Sequence, residues 1–257
     1  MTSAFRPMIR HLVLTIGLFG AVSGAAAADN GKAVKGVVEL FTSQGCSSCP
    51  PADAALKRLI DEGEVVALAY HVDYWNYLGW ADTLASRENT ERQYAYARML
   101  GRNGVYTPQV ILNGRDHMNG SDLLAIKGGL ETMRAAGKGL AVPIEAAMAG
   151  DGITIKVGAG EGKANVVVVY FDRARVVNVE RGENKGKRIA YWHAVKDIQT
   201  IGMWNGKPAQ FTLPASVLIE ERGNSGCAVL LQSMKDKETP GAILGAATVL
   251  AGPQGKL

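Results

Sequence analysis

Two cysteines separated by two serines, Cys46-Ser47-Ser48-Cys49, sit where the sequence changes pattern, and this restricts the local fold more than any other feature. Residues 36–41 before them form an apolar, valine-rich run. Pro50-Pro51 after them opens a helix-forming stretch over 52–61. Proline at a helix start costs no hydrogen bond, because an N–H there has no intrahelical partner. The pair is therefore expected at a strand-to-helix turn. Residues i and i+3 share a helix face, so the two sulfurs are brought together. The first sits at or just before the helix N-terminus, where the macrodipole and unpaired N–H groups favour negative charge and lower a thiol pKa. Cys46 is thus the exposed candidate nucleophile and Cys49, one turn in, the resolving thiol. A passive structural disulfide and one half of a metal site are the competing readings. For the second there is no further paired-cysteine motif, and the four histidines are scattered.

The N-terminus implies export. Arg6 and Arg10 precede an apolar run at 12–22, and Ala26-Ala27-Ala28 supplies small residues for cleavage. The run is short for a permanent membrane span. Residues 1–28 are accordingly expected to be a signal peptide, and the mature chain to be periplasmic or secreted, without membrane insertion. The formal charge of +4 includes both leader arginines. The mature chain is then close to neutral and carries no electrostatic footprint for nucleic acid. Three cysteines are too few for an exported disulfide scaffold; they suit one pair and one leftover thiol.

Strand-like and helix-like runs alternate up to about residue 138. Strands are expected at 36–41, 65–70 and 109–112. Helices are expected at 52–61, at 86–100 with Ser86 as N-cap and Gly101 as the stop, and from Ser121-Asp122 to about 136, ended by Gly137. Asn113-Gly114 is a hairpin turn into a short fourth strand. The resulting order, β-α-β-α-β-β-α, resembles the thioredoxin topology. From 139 to 257 the pattern becomes short strands between turns: 143–149, 153–157, 164–171, 189–195, 211–213, 227–232 and 242–250. The expected architecture is an α/β thioredoxin-like domain (29–138) followed by a β-rich, antiparallel domain (139–257) packed against it.

Several residues around the pair are candidates for the same site. Thr107-Pro108 immediately precedes a strand, the place where thioredoxin-like proteins carry a cis-proline facing the disulfide. Pro108 would then turn the Thr107 backbone toward an extended substrate. Glu39, seven residues before Cys46, lies near the position of the buried acid that moves the resolving thiol's proton in thioredoxins. It either serves chemistry or points to solvent, because a buried unpaired carboxylate is expensive. The stretch 71–80 holds four aromatics, among them Tyr74 and Trp75. They would either rim a substrate groove or cap the core beneath the next helix. His71 and Asp73 could form a proton-shuttle pair, although a strand-end histidine is more often simply hydrogen-bonded. Cys227, in an apolar strand pattern, reads as a buried thiol.

The segments from Glu39 through Cys46 and Cys49 to Asp53, from His71 to Trp75, and from Val105 to Gln109 resemble a bacterial family of exported thioredoxin-like proteins, domain of unknown function 1223. Gly182-Glu183-Asn184, Gly202-Met203-Trp204 and the 227–232 segment are similar to it too. The resemblance implies a thioredoxin-like half joined to a β-rich half. Within the wider superfamily, Cys46, Cys49 and Pro108 match the redox centre, while Ser47-Ser48 departs from the dipeptides of the best-known reductants and oxidants. The expected function is thiol-disulfide exchange with protein thiols or disulfides of the envelope, without cofactor or resident metal. The alternative is a non-catalytic binding module: a metallochaperone, or a docking protein with a structural disulfide.

Overall fold

β1 (Val37–Thr42) and β2 (Val66–His71) are buried along their whole lengths, so neither carries the alternation of a half-exposed strand. They pair in parallel at the centre of the molecule, in register from Val37↔Val66 to Thr42↔His71. Strands covered on both faces need apolar side chains on both. Val38, Leu40, Ala67 and Ala69 pack beneath α1 (Pro50–Glu62) and α3 (Leu123–Ala135). Val37, Phe41, Leu68 and Tyr70 face the opposite way, toward Tyr96 of α2 (Arg87–Met99). This computed structural model describes residues 34–214, 224–236 and 239–251, together with Met1 and Ser216. Apart from Met1, the expected leader lies outside the described residues.

Local signals set the element ends. Ser86 caps α2 by accepting from the Asn89 N–H at 3.1 Å, and Asp122 caps α3 through the Ala125 N–H at 2.9 Å. Antiparallel β3 (Gln109–Leu112) flanks β1 and turns through Asn113-Gly114 into β4 (Asp116–Asn119). Asn113 (φ 49°) and Gly114 (φ 63°) both take the left-handed conformation that a tight hairpin requires. A side chain at Gly114 would come within 2.3 Å of the Gly241 carbonyl oxygen.

The later strands are β5 (Ile144–Ala149), β6 (Gly152–Val157), β7 (Ala164–Asn178), β8 (Arg188–Trp204), β9 (Ala209–Pro214), β10 (Ser225–Met234) and β11 (Pro240–Leu250). The large sheet runs β11-β10-β7-β8-β2-β1-β3-β4, and β5-β6-β9 form a second, antiparallel sheet. Val166 and Val168 of β7 and Cys227, Val229 and Leu231 of β10 pack in the core with Ile153 and Ile155 of the small sheet. Val167, Val169, Ala228 and Leu230 point into the core shared with α2. The fold is thus mixed α/β, with three α-helices among the described residues.

The expected change at residue 139 is a change of composition and not a break in the sheet. β8 lies beside β2 through Ala69↔Ala194, so the large sheet holds strands from both sides of residue 139, and the described residues from Val34 to Ala251 fall in one compact unit. β7 and β8 are also much longer than expected, 15 and 17 residues. Their polar outer parts hold a ladder only because they pair with each other, from Ala174↔Trp192 to Asn178↔Arg188.

Candidate functional site

Cys46 and Cys49 form a disulfide, with Cα atoms 5.4 Å apart, in the turn between β1 and α1. The Cys49 N–H donates to the Cys46 carbonyl at 3.2 Å, and the Cys49 carbonyl accepts from Ala52 and Asp53. Cys49 is therefore the N-cap of α1 rather than a residue one turn in, and Cys46 lies a turn ahead of the helix. Pro50 and Pro51 contribute no N–H, so the first helical turn points fewer donors at Cys46 than expected. The Ser48 hydroxyl, 3.4 Å from Cys46 Sγ, is one polar group beside that sulfur.

Cys46 is not exposed as the sequence suggested: it is 1% accessible and Cys49 is fully buried. The tip of the β7–β8 ribbon, more than a hundred residues away, is bonded to the backbone on both sides of Cys46. The Asn184 side-chain amide donates to the carbonyls of Gln44 (3.0 Å) and Cys46 (2.8 Å). The Ser47 N–H donates to the Glu183 carboxylate at 3.0 Å. These hydrogen bonds with Ser47 hold Glu183 below the usual carboxylate range. The contacts are non-local, and in the sequence Gly182-Glu183-Asn184 stood out only as a segment similar to the family.

Below the disulfide lies a buried polar cluster. Asp53, one helical turn after Cys49, accepts from the Thr42 hydroxyl at 2.9 Å; its other oxygen has no protein partner. Burial pushes the Asp53 carboxyl up to about 7, although His71 and the Thr42 hydrogen bond pull the other way. His71 sits at the end of β2, beside Thr42 in the parallel register. Its Nδ1 is 2.8 Å from Asp82, while Nε2 is buried without a partner. Burial alone would lower the His71 pKa, but the charge and hydrogen bond of Asp82 outweigh it and hold the pKa above the ordinary value. Burial would raise Asp82, and His71 with the Gln44 and Leu84 N–H groups brings it below the usual range. The Tyr191 ring of β8 packs edge-on against His71, 4.7 Å between centroids. The predicted partner of His71, Asp73, is instead engaged by the Thr90 hydroxyl at 2.7 Å.

Glu39 is buried but belongs elsewhere. It lies on the α2 face of β1, where Arg92 Nε donates to it at 2.8 Å and the Tyr96 hydroxyl donates to its other oxygen. Arg92 also reaches Gln232 of β10, so this group ties α2 to the large sheet. The alternation of β1 explains the outcome: Val38, Leu40 and Thr42 face α1, leaving Glu39 on the opposite side. The position expected of Glu39 beneath the cysteines is filled by Asp53. The spacing of four between Cys49 and Asp53 could have signalled this.

On the flank, the Thr107–Pro108 peptide is cis. Trp75 Nε1 donates to the Thr107 hydroxyl at 2.8 Å, and a side chain placed on Gly45 would meet Trp75 Cβ at 3.2 Å. Trp75 thus links the loop that carries Cys46 to Thr107. Tyr74, bonded to Gln93, and Trp75 are partly buried and pack on the core, with an edge left accessible. Trp80 Nε1 donates to Gln44 at 2.8 Å. Cys227 is a free thiol buried in the core beneath the small sheet, and burial pushes its pKa up to about 12. Among the described residues, no three His, Cys, Asp or Glu side chains form a group able to hold a metal ion.

A mixed α/β fold thus presents a covered disulfide at a strand-helix turn, above buried carboxyl and imidazole groups. Over residues 37–232 the sequence matches the family described as "Protein of unknown function (DUF1223)", and the chain belongs to that family. It is similar to a protein of Agrobacterium tumefaciens whose X-ray crystal structure is known: 56% identity, TM-score 0.79, covering 88% of this chain and 98% of that one. HBP35 of Porphyromonas gingivalis shares the fold at 14% identity, with TM-score 0.62 over 88% of this chain and 79% of that one. No curated protein matches.

Proposed function

We propose that this chain is a thiol-disulfide oxidoreductase of the bacterial envelope, built on a thioredoxin-like arrangement of its first half. The observation that carries the reading is the Cys46–Cys49 disulfide at the head of α1 with Asp53 buried one turn beneath it. In the reduced protein, the Cys46 thiolate attacks a partner disulfide, forming a mixed disulfide and releasing one partner thiolate. Cys49 then attacks the Cys46 sulfur, restoring the internal disulfide and releasing the second partner thiol. Two electrons pass to the partner. Asp53 is on the same helix face as Cys49 and receives its proton as the thiolate forms, a transfer that a carboxyl titrating near neutrality suits. The reverse sequence oxidises a dithiol partner by the same steps. Pro108 and Thr107, held by Trp75, border the place where the partner's chain lies.

The basic, apolar, alanine-terminated leader supports export, where protein disulfides persist. One observation favours the second reading, a docking protein with an inert disulfide: Cys46 is 1% accessible, and Asn184 and Glu183 pin the backbone of its loop. Trapping separates the two. A Cys49→Ser variant expressed in the intact envelope should accumulate mixed disulfides through Cys46, reversible by reductant and absent from the Cys46→Ser/Cys49→Ser double variant. A Cys49→Ser protein that stays free of partners would refute the oxidoreductase reading.

A further inference from the structure

The outer part of the β7–β8 ribbon is built as a separate piece. Beyond Asp172 the ladder of β7 with β10 ends, Asn224 still bonds Arg173 and Ala174, and the ladder over 175–178 is with β8. Its tip is closed on itself: Val179 and Lys187 are joined by a backbone hydrogen bond at 2.9 Å, and Gly186 donates to the Val179 carbonyl at 2.7 Å. Gly182 (φ 74°) and Gly186 (φ 80°) supply the left-handed positions this turn needs. At the root, β7 and β8 slip register between Tyr170 and Phe171, and His193 takes φ 47°, a conformation uncommon for a residue with a side chain. Bulges and such residues bend a strand pair. From this bend the ribbon lies over α1, with Trp192 beneath the Lys57 ammonium at 4.4 Å and Tyr191 on His71.

Trp75, Trp80 and Asp82 hold one side of the disulfide loop, and the ribbon tip holds it through polar contacts. Asn184 is fully buried, is oriented by Lys187 at 2.8 Å, and satisfies the Gln44 and Cys46 carbonyls. Glu183 holds the Ser47 N–H. Attack on a disulfide requires a sulfur to approach along the S–S axis, and with Cys46 1% accessible that approach is closed. Polar contacts can be exchanged for water when the tip lifts, whereas a buried apolar contact would resist opening.

We propose that the Val179–Lys187 tip is a lid over the redox pair, latched by Asn184 and Glu183, and that Cys46 exchanges only after the lid lifts about the His193 bend. This rests on the oxidoreductase reading for its purpose, but access to the disulfide can be measured without it. The reduction rate then equals the intrinsic rate multiplied by the fraction of molecules that are open. Asn184→Ala removes two hydrogen bonds in the closed state; the Cys46 carbonyl keeps the Cys49 N–H but the Gln44 carbonyl loses its Asn184 donor, which should speed reduction on the order of tenfold. Glu183→Ala removes the Ser47 contact of an exposed side chain and should speed it roughly threefold.

The experiment is reduction of the oxidised native protein by dithiothreitol, followed by quenched alkylation and mass spectrometry, in zero to low urea. The expected result is slow reduction of the native protein compared with the same protein unfolded in urea. Both variants should accelerate it, with a urea dependence much weaker than that of global unfolding measured in parallel. Wild-type rates in both variants, or acceleration that tracks lost global stability, would overturn the lid. If Asn184→Ala does not fold, Glu183→Ala carries the test. Turnover of a disulfide-linked peptide by the same proteins, against Cys46→Ser, keeps the two ideas apart. Faster reduction without turnover in any of them sinks the oxidoreductase reading and leaves the lid. Wild-type turnover that neither lid variant changes sinks the lid and leaves the oxidoreductase.

Discussion

Replacing Asp53 by Asn should make the protein more stable at pH 8 and change it little at pH 4. Burial raises the Asp53 carboxyl to about 7 in the folded chain, against an ordinary 3.8. Between those two pH values the folded state keeps a proton that the unfolded state has released. Wild-type stability therefore falls as pH rises from about 4 to about 7. A gap of about three pH units corresponds to roughly 4 kcal/mol, at about 1.4 kcal/mol per unit. Asparagine preserves the shape and an acceptor for the Thr42 hydroxyl, with a weaker hydrogen bond that returns about 1 kcal/mol of the gain. The net gain at pH 8 should be about 2–4 kcal/mol. The stabilising His71–Asp82 pair also titrates. His71, raised, loses its contribution as pH rises through its folded pKa; Asp82, lowered, loses its own as pH falls through its folded pKa. Both occur in either protein, but His71 keeps its larger Asp82 attraction and loses the smaller pull of Asp53 in the variant. Urea unfolding by tryptophan fluorescence from pH 4 to pH 8 gives the two curves. Parallel curves, with no growing advantage for the variant, would refute a proton held at Asp53.

Arg92→Met should cost about 3–5 kcal/mol, because it leaves the Glu39 carboxylate buried without its ion pair; urea unfolding at neutral pH measures it. Cys227 should resist iodoacetamide in the folded protein up to about pH 10 and label readily once unfolded, as mass mapping across a pH series would show. In the reduced protein Cys46 should label before Cys227, since one thiol meets the loop surface when the lid opens and the other is enclosed by two sheets.

The local parts of this fold were legible. Ser86, Asp122 and Gly137 mark helix ends as expected, β3 spans the four residues anticipated, and the cysteine pair does stand at a strand-helix turn. Long-range pairing was not. The β2–β8 junction that carries the sheet past residue 139 rests on one bridge between residues far apart in sequence. The face of Glu39 was also illegible, because every residue of β1 is buried and no alternation remains to read. The polar cluster was half legible: His71 drew notice for its sequence neighbour Asp73, but its partner Asp82 arrives from a loop beyond the aromatic segment. The lid left no signal beyond the similarity of Gly182-Glu183-Asn184 to the family, since its meaning lies in contacts made some 138 residues away by Asn184.

The central claim is that Cys46 and Cys49 cycle between dithiol and disulfide in the folded protein, and its most direct test is the equilibrium reduction potential of that pair. The native protein is equilibrated in a graded series of glutathione and dithiothreitol buffers, and the pair's state is read by alkylation and mass. The account predicts one reversible two-electron transition above about −300 mV, with the fold retained on both sides. A pair that stays oxidised in every buffer down to about −300 mV, yielding only as the protein unfolds, would contradict it and identify a structural disulfide.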